Sequence, residues 1–261
     1  MVRSLRFALF ALLLPLAGQA QLVVTNTQTP AWLVQNILLG QGLSVSNITF
    51  NGAPATVVTE QAGEVDATNT VLGMGQGLIL ATGDVNNALG PNNSGSSRLG
   101  CGNMGQTDPD LEILANPQSV NDAAVLEFDF VPTGDSLKFD FVFASDEYLE
   151  FVNSVNDIFG FFLSGPGISG PFSNNSANIA LIPNTTDPVT INTVNDMVNS
   201  AYYVVNGTGI NFPYNGNAMY PQYDGFTVVI TAQAEVICGQ TYHIKIAIGD
   251  ASDTVWDSAV F

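Results

Sequence analysis

Along most of the chain, apolar and polar residues alternate with the period of an extended strand. In AVLEFDFVP, Leu126, Phe128 and Phe130 alternate with Glu127 and Asp129; in SLKFDFVFAS, Leu137, Phe139, Phe141 and Phe143 alternate with Lys138 and Asp140. With the turn PTGD between them, these runs predict an antiparallel hairpin with one face in the core and Lys138 set to pair with an acid across the ladder. DIFGFFLSGPG is apolar on both faces (Ile158, Phe159, Phe161, Phe162, Leu163), the pattern of a central strand covered on both sides, and Gly160 marks a bulge or a close approach. LSVSNITF (43–50) and ATVVT (55–59) around NGAP predict a second hairpin. VLGMGQGLILAT, NIALIP, AYYVVN, FTVVITAQAEV and TYHIKIAIGD read as further strands.

The helical period surfaces near the start, in TPAWLVQNILLGQG. Thr29 can cap the first turn, Pro30 suits it, Leu33 and Ile37 share a face, and Gly40 can end the helix. DLEILA adds at most one helical turn. Residues 83–110, rich in Asn, Gly and Ser, have no periodicity and read as a long surface loop. With roughly ten strands separated by turn signals, the expected fold is all-β, an antiparallel two-sheet sandwich of jelly-roll type with one short N-terminal helix. No repeat or linker divides residues 21–261, which are read as one domain.

Residues 1–20 place Arg3 and Arg6 before an apolar run from Phe7 to Leu14 and end in small residues, the form of a secretory signal peptide. The run is shorter than the ~20 residues of a membrane-spanning helix, and no later segment is long and apolar enough, so the mature chain is expected to carry no transmembrane segment. Beyond residue 20, three basic residues (Arg98, Lys138, Lys245) face 23 acidic ones, a balance of −20. Such a field argues against nucleic acid as a partner and for divalent cations. The two cysteines, Cys101 and Cys238, leave two readings open, one disulfide between them or two separate thiols; no CxxC or Cys/His cluster points to zinc.

The candidate chemistry is acidic. ASDEY with NSVND supplies Asp146, Glu147, Asn156 and Asp157, and GDASDTVWD supplies Asp250, Asp253 and Asp257. Ca²⁺ takes about six to eight oxygen ligands, and these are the two places that offer them densely, forming one site if their strands are neighbours. The competing explanation is that Asp and Asn gather at turns, where their side chains bond local backbone. Paired carboxylates also suit glycoside hydrolysis, with Asp146, Glu147, Glu150 and Asp157 as the pair's source. The single histidine, His243, sits on the polar side of a strand and no GxSxG elbow exists, which argues against a serine hydrolase. Tyrosines beside amides around SAYYVVNGTGINFPYNGNAMYPQYDG suit sugar binding or simply pin a long loop.

QNILLGQGLSVSNITFNGAP, GDVNNALGPNNSGS, DAAVLEFDFVPTGDSLKFDFVFASDEY, NDIFGFFLSGPG and YHIKIAIGDASDTVWDSAVF, in this order, resemble the choice-of-anchor L family over nearly all of the mature chain. The resemblance implies an exported bacterial domain recurring in surface or secreted proteins with differing C-terminal anchoring signals, and implies no enzymatic activity. Relatives often carry a cysteine where this chain has Asn153, so a disulfide inferred from the family is arranged differently here. The chain ends at Phe261 inside what reads as a strand, as a fragment or truncated product would. The resulting expectation is a non-catalytic, secreted or cell-surface adhesion or recognition module, with Ca²⁺ as candidate stabilising ion and an extracellular glycan or surface protein as partner. The alternatives are a carbohydrate-binding or glycoside-hydrolysing domain using the 146–157 loop, and a purely structural spacer.

Overall fold

The computed structural model describes residues 21–39, 43–102, 104–207 and 214–261. Among these the strands are Val23–Thr25 (β1), Ser44–Phe50 (β2), Ala53–Pro54 (β3), Ala62–Asp66 (β4), Gln76–Ala81 (β5), Val120–Val131 (β6), Ser136–Phe141 (β7), Phe143–Ser145 (β8), Ile158–Ser164 (β9), Ala177–Asn178 (β10), Tyr203–Val205 (β11), Gly225–Thr227 (β12), Ile230–Glu235 (β13), Tyr242–Ala251 (β14) and Ser258–Val260 (β15). They form a seven-stranded sheet in the order β1-β4-β5-β15-β8-β12-β11, a six-stranded sheet β10-β9-β14-β6-β2-β3, and a two-stranded ribbon β13-β7. The pairings are antiparallel, and the all-β sandwich read from the alternation is the fold.

The main core lies between the sheets, where Phe128, Phe130, Phe141, Phe143, Phe159, Phe161, Ile244 and Ile246 interdigitate. Phe139 and Phe141 meet Phe161 edge-on with ring centroids 5.6 Å apart, as aromatic quadrupoles favour. Each sheet is also covered outside: Val85, Ala88, Tyr223 and Phe226 over the seven-stranded sheet, Leu111 and Ala115 over the six-stranded one. β9 is accordingly buried along its whole length, and the ring of Phe162 lies over Gly160, where a Cβ would come within 2.6 Å of it.

The alternation identifies the buried faces, but the partners differ. β6 and β7 do not form a hairpin: β6 pairs with β14 and β2, while β7 pairs with β13. The turn between them carries the chain from the six-stranded sheet to the two-stranded ribbon, and the apolar faces of β6 and β7 share one core. Lys138 consequently stands opposite Gln233, not opposite an acid. In the second expected hairpin, Asn51 and Gly52 at positive φ make the tight turn and only Ala53–Pro54 returns along β2. Residues 55–59 are not a strand; Val57 and Val58 are exposed, and Pro54 has no N–H to continue a ladder.

The helix begins as expected: Thr29 Oγ1 accepts the N–H of Trp32 at 3.2 Å, and Pro30–Leu33 (α1) runs into a π-helical turn over Val34–Leu38. Its proposed stop at Gly40 lies outside the described residues, as do residues 1–20. A second short helix, Pro109–Ala115 (α2), is capped by Asp108, whose carboxylate accepts from the N–H groups of Asp110 and Leu111. Among the described residues no helix is long and apolar enough to cross a membrane.

Candidate functional site

One end of the sandwich gathers strand termini from both sheets, and acidic residues stand there at strand after strand. In the seven-stranded sheet, Gly225 of β12 and Ser258 of β15 both stand opposite Ser145 of β8. One residue further, Asp224, Asp146 and Asp257 therefore end three neighbouring strands side by side, at an interstrand spacing of about 4.8 Å. The N–H of Asp146 donates to the carbonyl of Asp257 at 3.2 Å, which fixes this register.

The six-stranded sheet repeats the arrangement. Gly249 of β14 faces Ile158 of β9, which sets Asp250 beside Asp157, and Asp250 faces Asn121 of β6 on its other side. The β6 ladder slips there by one residue, and Asp122, at φ 50°, lies in the bulge. The result is two rows of carboxylates, Asp224-Asp146-Asp257 and Asp157-Asp250-Asp122, at the same end of the two sheets. They are tied across the core by Asp157 Oδ2, which accepts from Ser258 Oγ at 2.7 Å. Glu147 follows Asp146 in the turn that leaves β8, its N–H held by Ser145 Oγ at 2.9 Å.

The two acidic segments singled out in the sequence thus meet at one end of the sandwich, with two exceptions. Asn156 turns aside and accepts the N–H of Asn192 at 3.1 Å. Asp253 is exposed and folds onto its own turn, accepting from Val255 N at 2.9 Å, the bland role expected of a turn aspartate; its charge still acts on Glu147 and Asp157. Asp224, Asp122 and the amide of Asn87 were not anticipated. No spacing rule connects them to residues 146–157, and only strand register brings them together.

Asp146, Glu147, Asp157, Asp224, Asp250, Asp257 and Asp122 are each at most 2% exposed. Oδ1 of Asp146, Oε2 of Glu147, Oδ2 of Asp224, Oδ1 of Asp250 and Oδ2 of Asp122 are buried without a hydrogen-bond partner, and so is the hydroxyl of Tyr223. Burial, followed by the charges of Asp224 and Asp257, pushes Asp146 well above the usual carboxylate range. Burial and Asp157 do the same to Asp250, and burial with Asp157 and Asp253 to Glu147. Asp224 rises to about 7 because burial outweighs its bond from Asn92. Asp257 also rises to about 7, burial outweighing the N–H of Leu99 and the charge of Arg98.

Ionised carboxylates this crowded and dry must protonate or hold a cation. The oxygens without partners fit the second outcome. The donor set is carboxylate, amide and phenol oxygen, which is the chemistry of a hard cation such as Ca²⁺ and not of zinc. Among the described residues no three acidic, His or Cys side chains converge as a ligand group.

The remaining polar residues serve the fold. His243 lies between Asp129 (2.7 Å) and Glu127 (3.2 Å) on β6, remote from the acid rows. Lys245 Nζ binds Asp108 at 2.7 Å and Asp110 at 2.6 Å, pinning α2 to β14. Cys101 and Cys238 are not bonded to one another. Cys238 is an exposed thiol in the turn before β14, beside the Pro132 end of β6, while Cys101, with Sγ 3.8 Å from Met104 Sδ, lies near the Asp122 end. β6 has 12 residues between those ends, and at about 3.3 Å per residue they are too far apart for a disulfide.

The fold is thus an antiparallel sandwich whose strand-end face carries carboxylates only 0–2% exposed. The chain belongs to the choice-of-anchor L domain family, which matches residues 22–261. This is a family of non-enzymatic, surface-associated domains. Searches of the curated proteins and of the solved structures found no match.

Proposed function

We propose that this chain is an adhesion or recognition module of an exported protein, and that calcium bound between the acidic rows stabilises its strand-end face. The observation that carries the reading is the set of buried, unpartnered carboxylate oxygens on Asp146, Glu147, Asp224, Asp250 and Asp122. In this reading residues 1–20 are the export leader, and N-terminal sequencing of secreted protein is expected to start at Gln21. The recognition surface is the rim of the acidic face, where the half-buried rings of Phe151 and Trp256 pack with centroids 4.3 Å apart next to the exposed Asn153. Rings beside amides suit an extracellular glycan or a protein surface.

Thermal melts at neutral pH with chelator and with calcium test the cation. Saturation to about 100 times Kd adds about 2.7 kcal/mol, which for a chain of this size is a rise in Tm of roughly 5–10 °C. An unchanged Tm at tens of millimolar calcium overturns the reading. A glycan array on the calcium-loaded protein then tests the partner class.

A further inference from the structure

We infer that the cation is also a latch, holding residues 83–102 over the strand ends, so that this strap resists proteolysis when calcium is bound and is cleaved when it is removed. The inference rests on the cation reading above and assigns that site a second role.

The argument starts from how the acidic residues divide their oxygens. Asp146 accepts from Asn87 Nδ2 at 3.4 Å through Oδ2 and leaves Oδ1 unpartnered. Asp224 accepts from Asn92 Nδ2 at 2.6 Å through Oδ1 and leaves Oδ2 unpartnered. Asp257 accepts the N–H of Leu99 at 2.7 Å through Oδ2, and its own N–H reaches the carbonyl of Ser97 at 3.3 Å. Asn87, Asn92, Ser97 and Leu99 all belong to the strap. Asp146 and Asp224 are therefore two-sided: one oxygen grips the strap and the other points into the dry acidic interior. Gly83 lets the strap start this close, since a Cβ there would lie 2.4 Å from Asp257 Oδ2.

The other bonds that hold the strap are also polar: Gln222 binds Asn92, Asn93 and Ser94, Gln21 donates to the carbonyl of Gly90, and Glu60 accepts the N–H of Gly102. Val85 and Ala88 are buried, but Leu89 and Leu99 are 37% and 42% exposed, and Asn93, Ser96, Arg98 and Gly100 face solvent. A segment with so few apolar contacts opens readily unless its polar bonds are strong. A cation in the interior fixes Asp146, Asp224 and Asp257 in place beneath the strap; its removal leaves their crowded carboxylates free to move apart, which loosens the grip.

Trypsin provides the test, because beyond residue 20 it can cut only after Arg98, Lys138 and Lys245, of which Arg98 is on the strap. The whole chain is digested at neutral pH with calcium or with chelator, and a small peptide substrate alongside corrects for the effect of calcium on trypsin itself. Cleavage between Arg98 and Leu99, read by mass spectrometry, is expected to slow about tenfold or more with calcium, as it tracks the population of the open strap. An equal rate in a protein whose Tm does rise with calcium overturns the latch and leaves the cation reading standing; no rise in Tm overturns both. Asn92→Ala removes the grip on Asp224, together with the bonds of Asn92 to Asn206, Ser94 and Gln222, without removing a carboxylate. It is expected to keep most of the calcium-induced rise in Tm while losing protection at Arg98, and full protection in this variant overturns the latch. Should Asn92→Ala fail to fold, Ser97→Ala, which removes the 2.5 Å bond from Ser97 to Asn87, takes its place with the same two outcomes.

Discussion

Asp157 and Ser258 join the two sheets of this protein through a single hydrogen bond: Ser258 Oγ on the seven-stranded sheet donates at 2.7 Å to Asp157 Oδ2 at the head of the six-stranded one. Asp157 Oδ1 also accepts the N–H of Ala251 at 3.1 Å, so both its oxygens are engaged in a fully buried position. Ser258→Ala leaves half of that carboxylate without a donor. We expect a loss of about 1–3 kcal/mol in urea unfolding, the size of a buried bond to a charged group.

The pH dependence follows from Asp224 and Asp257, which are held at about 7 when folded against an ordinary value of 3.8. Between those values the native state binds more protons than the unfolded state, so without divalent cations stability falls as pH rises through about 7. Each ionisation against such a shift costs on the order of 4 kcal/mol. Melts in chelator are expected to give a higher Tm at about pH 5.5 than at about pH 8, and saturating calcium to raise Tm far more at the higher pH. A chelated protein more stable at the alkaline end would contradict this assignment.

Asp146→Asn separates a cation ligand from an ordinary structural acid. Asp146 stands between Asp224 and Asp257, and replacing it by a neutral amide relieves repulsion from both. In chelator the variant is expected to melt above the parent chain; in calcium its gain is expected to shrink to less than half. Calorimetric titration should show the same loss as a calcium affinity lowered by about tenfold or more, one charged ligand in a hard-cation site.

Gly83→Ala forces a methyl group against Asp257 Oδ2 and the carbonyl of Leu99, both at 2.4 Å from the ideal Cβ. Neither is the end of a flexible chain free to swing away. Overpacking of this kind costs about 1–3 kcal/mol, and because it displaces Asp257 the loss of Tm should be larger with calcium than without.

Lys245→Met is the control at the opposite site. It leaves Asp108 and Asp110 buried without their cation and loosens α2, for an expected loss of about 3–5 kcal/mol. Its effect on Tm should be the same with and without calcium, since this ion pair is separate from the acidic rows.

The strand alternation made the sandwich legible because period two depends only on which face of a strand is dry. Phe128, Phe139 and Phe161 could be assigned to the core from that alone, and the cap at Thr29 from local chemistry. Pairing partners were not legible. The turn after Val131 reads like a hairpin turn but leads to the two-stranded ribbon, a choice decided by β14 and β2 occupying both edges of β6. AGEVD (β4) was missed because it pairs through its backbone while carrying Gly and two acids, residues that strands usually avoid. For the same reason the acidic site was half legible: two segments were visible as dense clusters, while Asp224 and Asp122 enter only through the register of β12 against β8 and of β6 against β14.

The place of β15 has a consequence for how the molecule comes together. Among the described residues, Ser258–Val260 is the strand that joins β1-β4-β5 to β8-β12-β11, and it pairs Val260 with Leu80 and with Phe143. A chain made or threaded from its N-terminus therefore carries two incomplete half-sheets, each with an open edge, until these residues arrive. Such distant closure is slow. The strand that completes the sheet also brings in Asp257 and Ser258, so the acidic face acquires its last carboxylate in the same step that seals the fold.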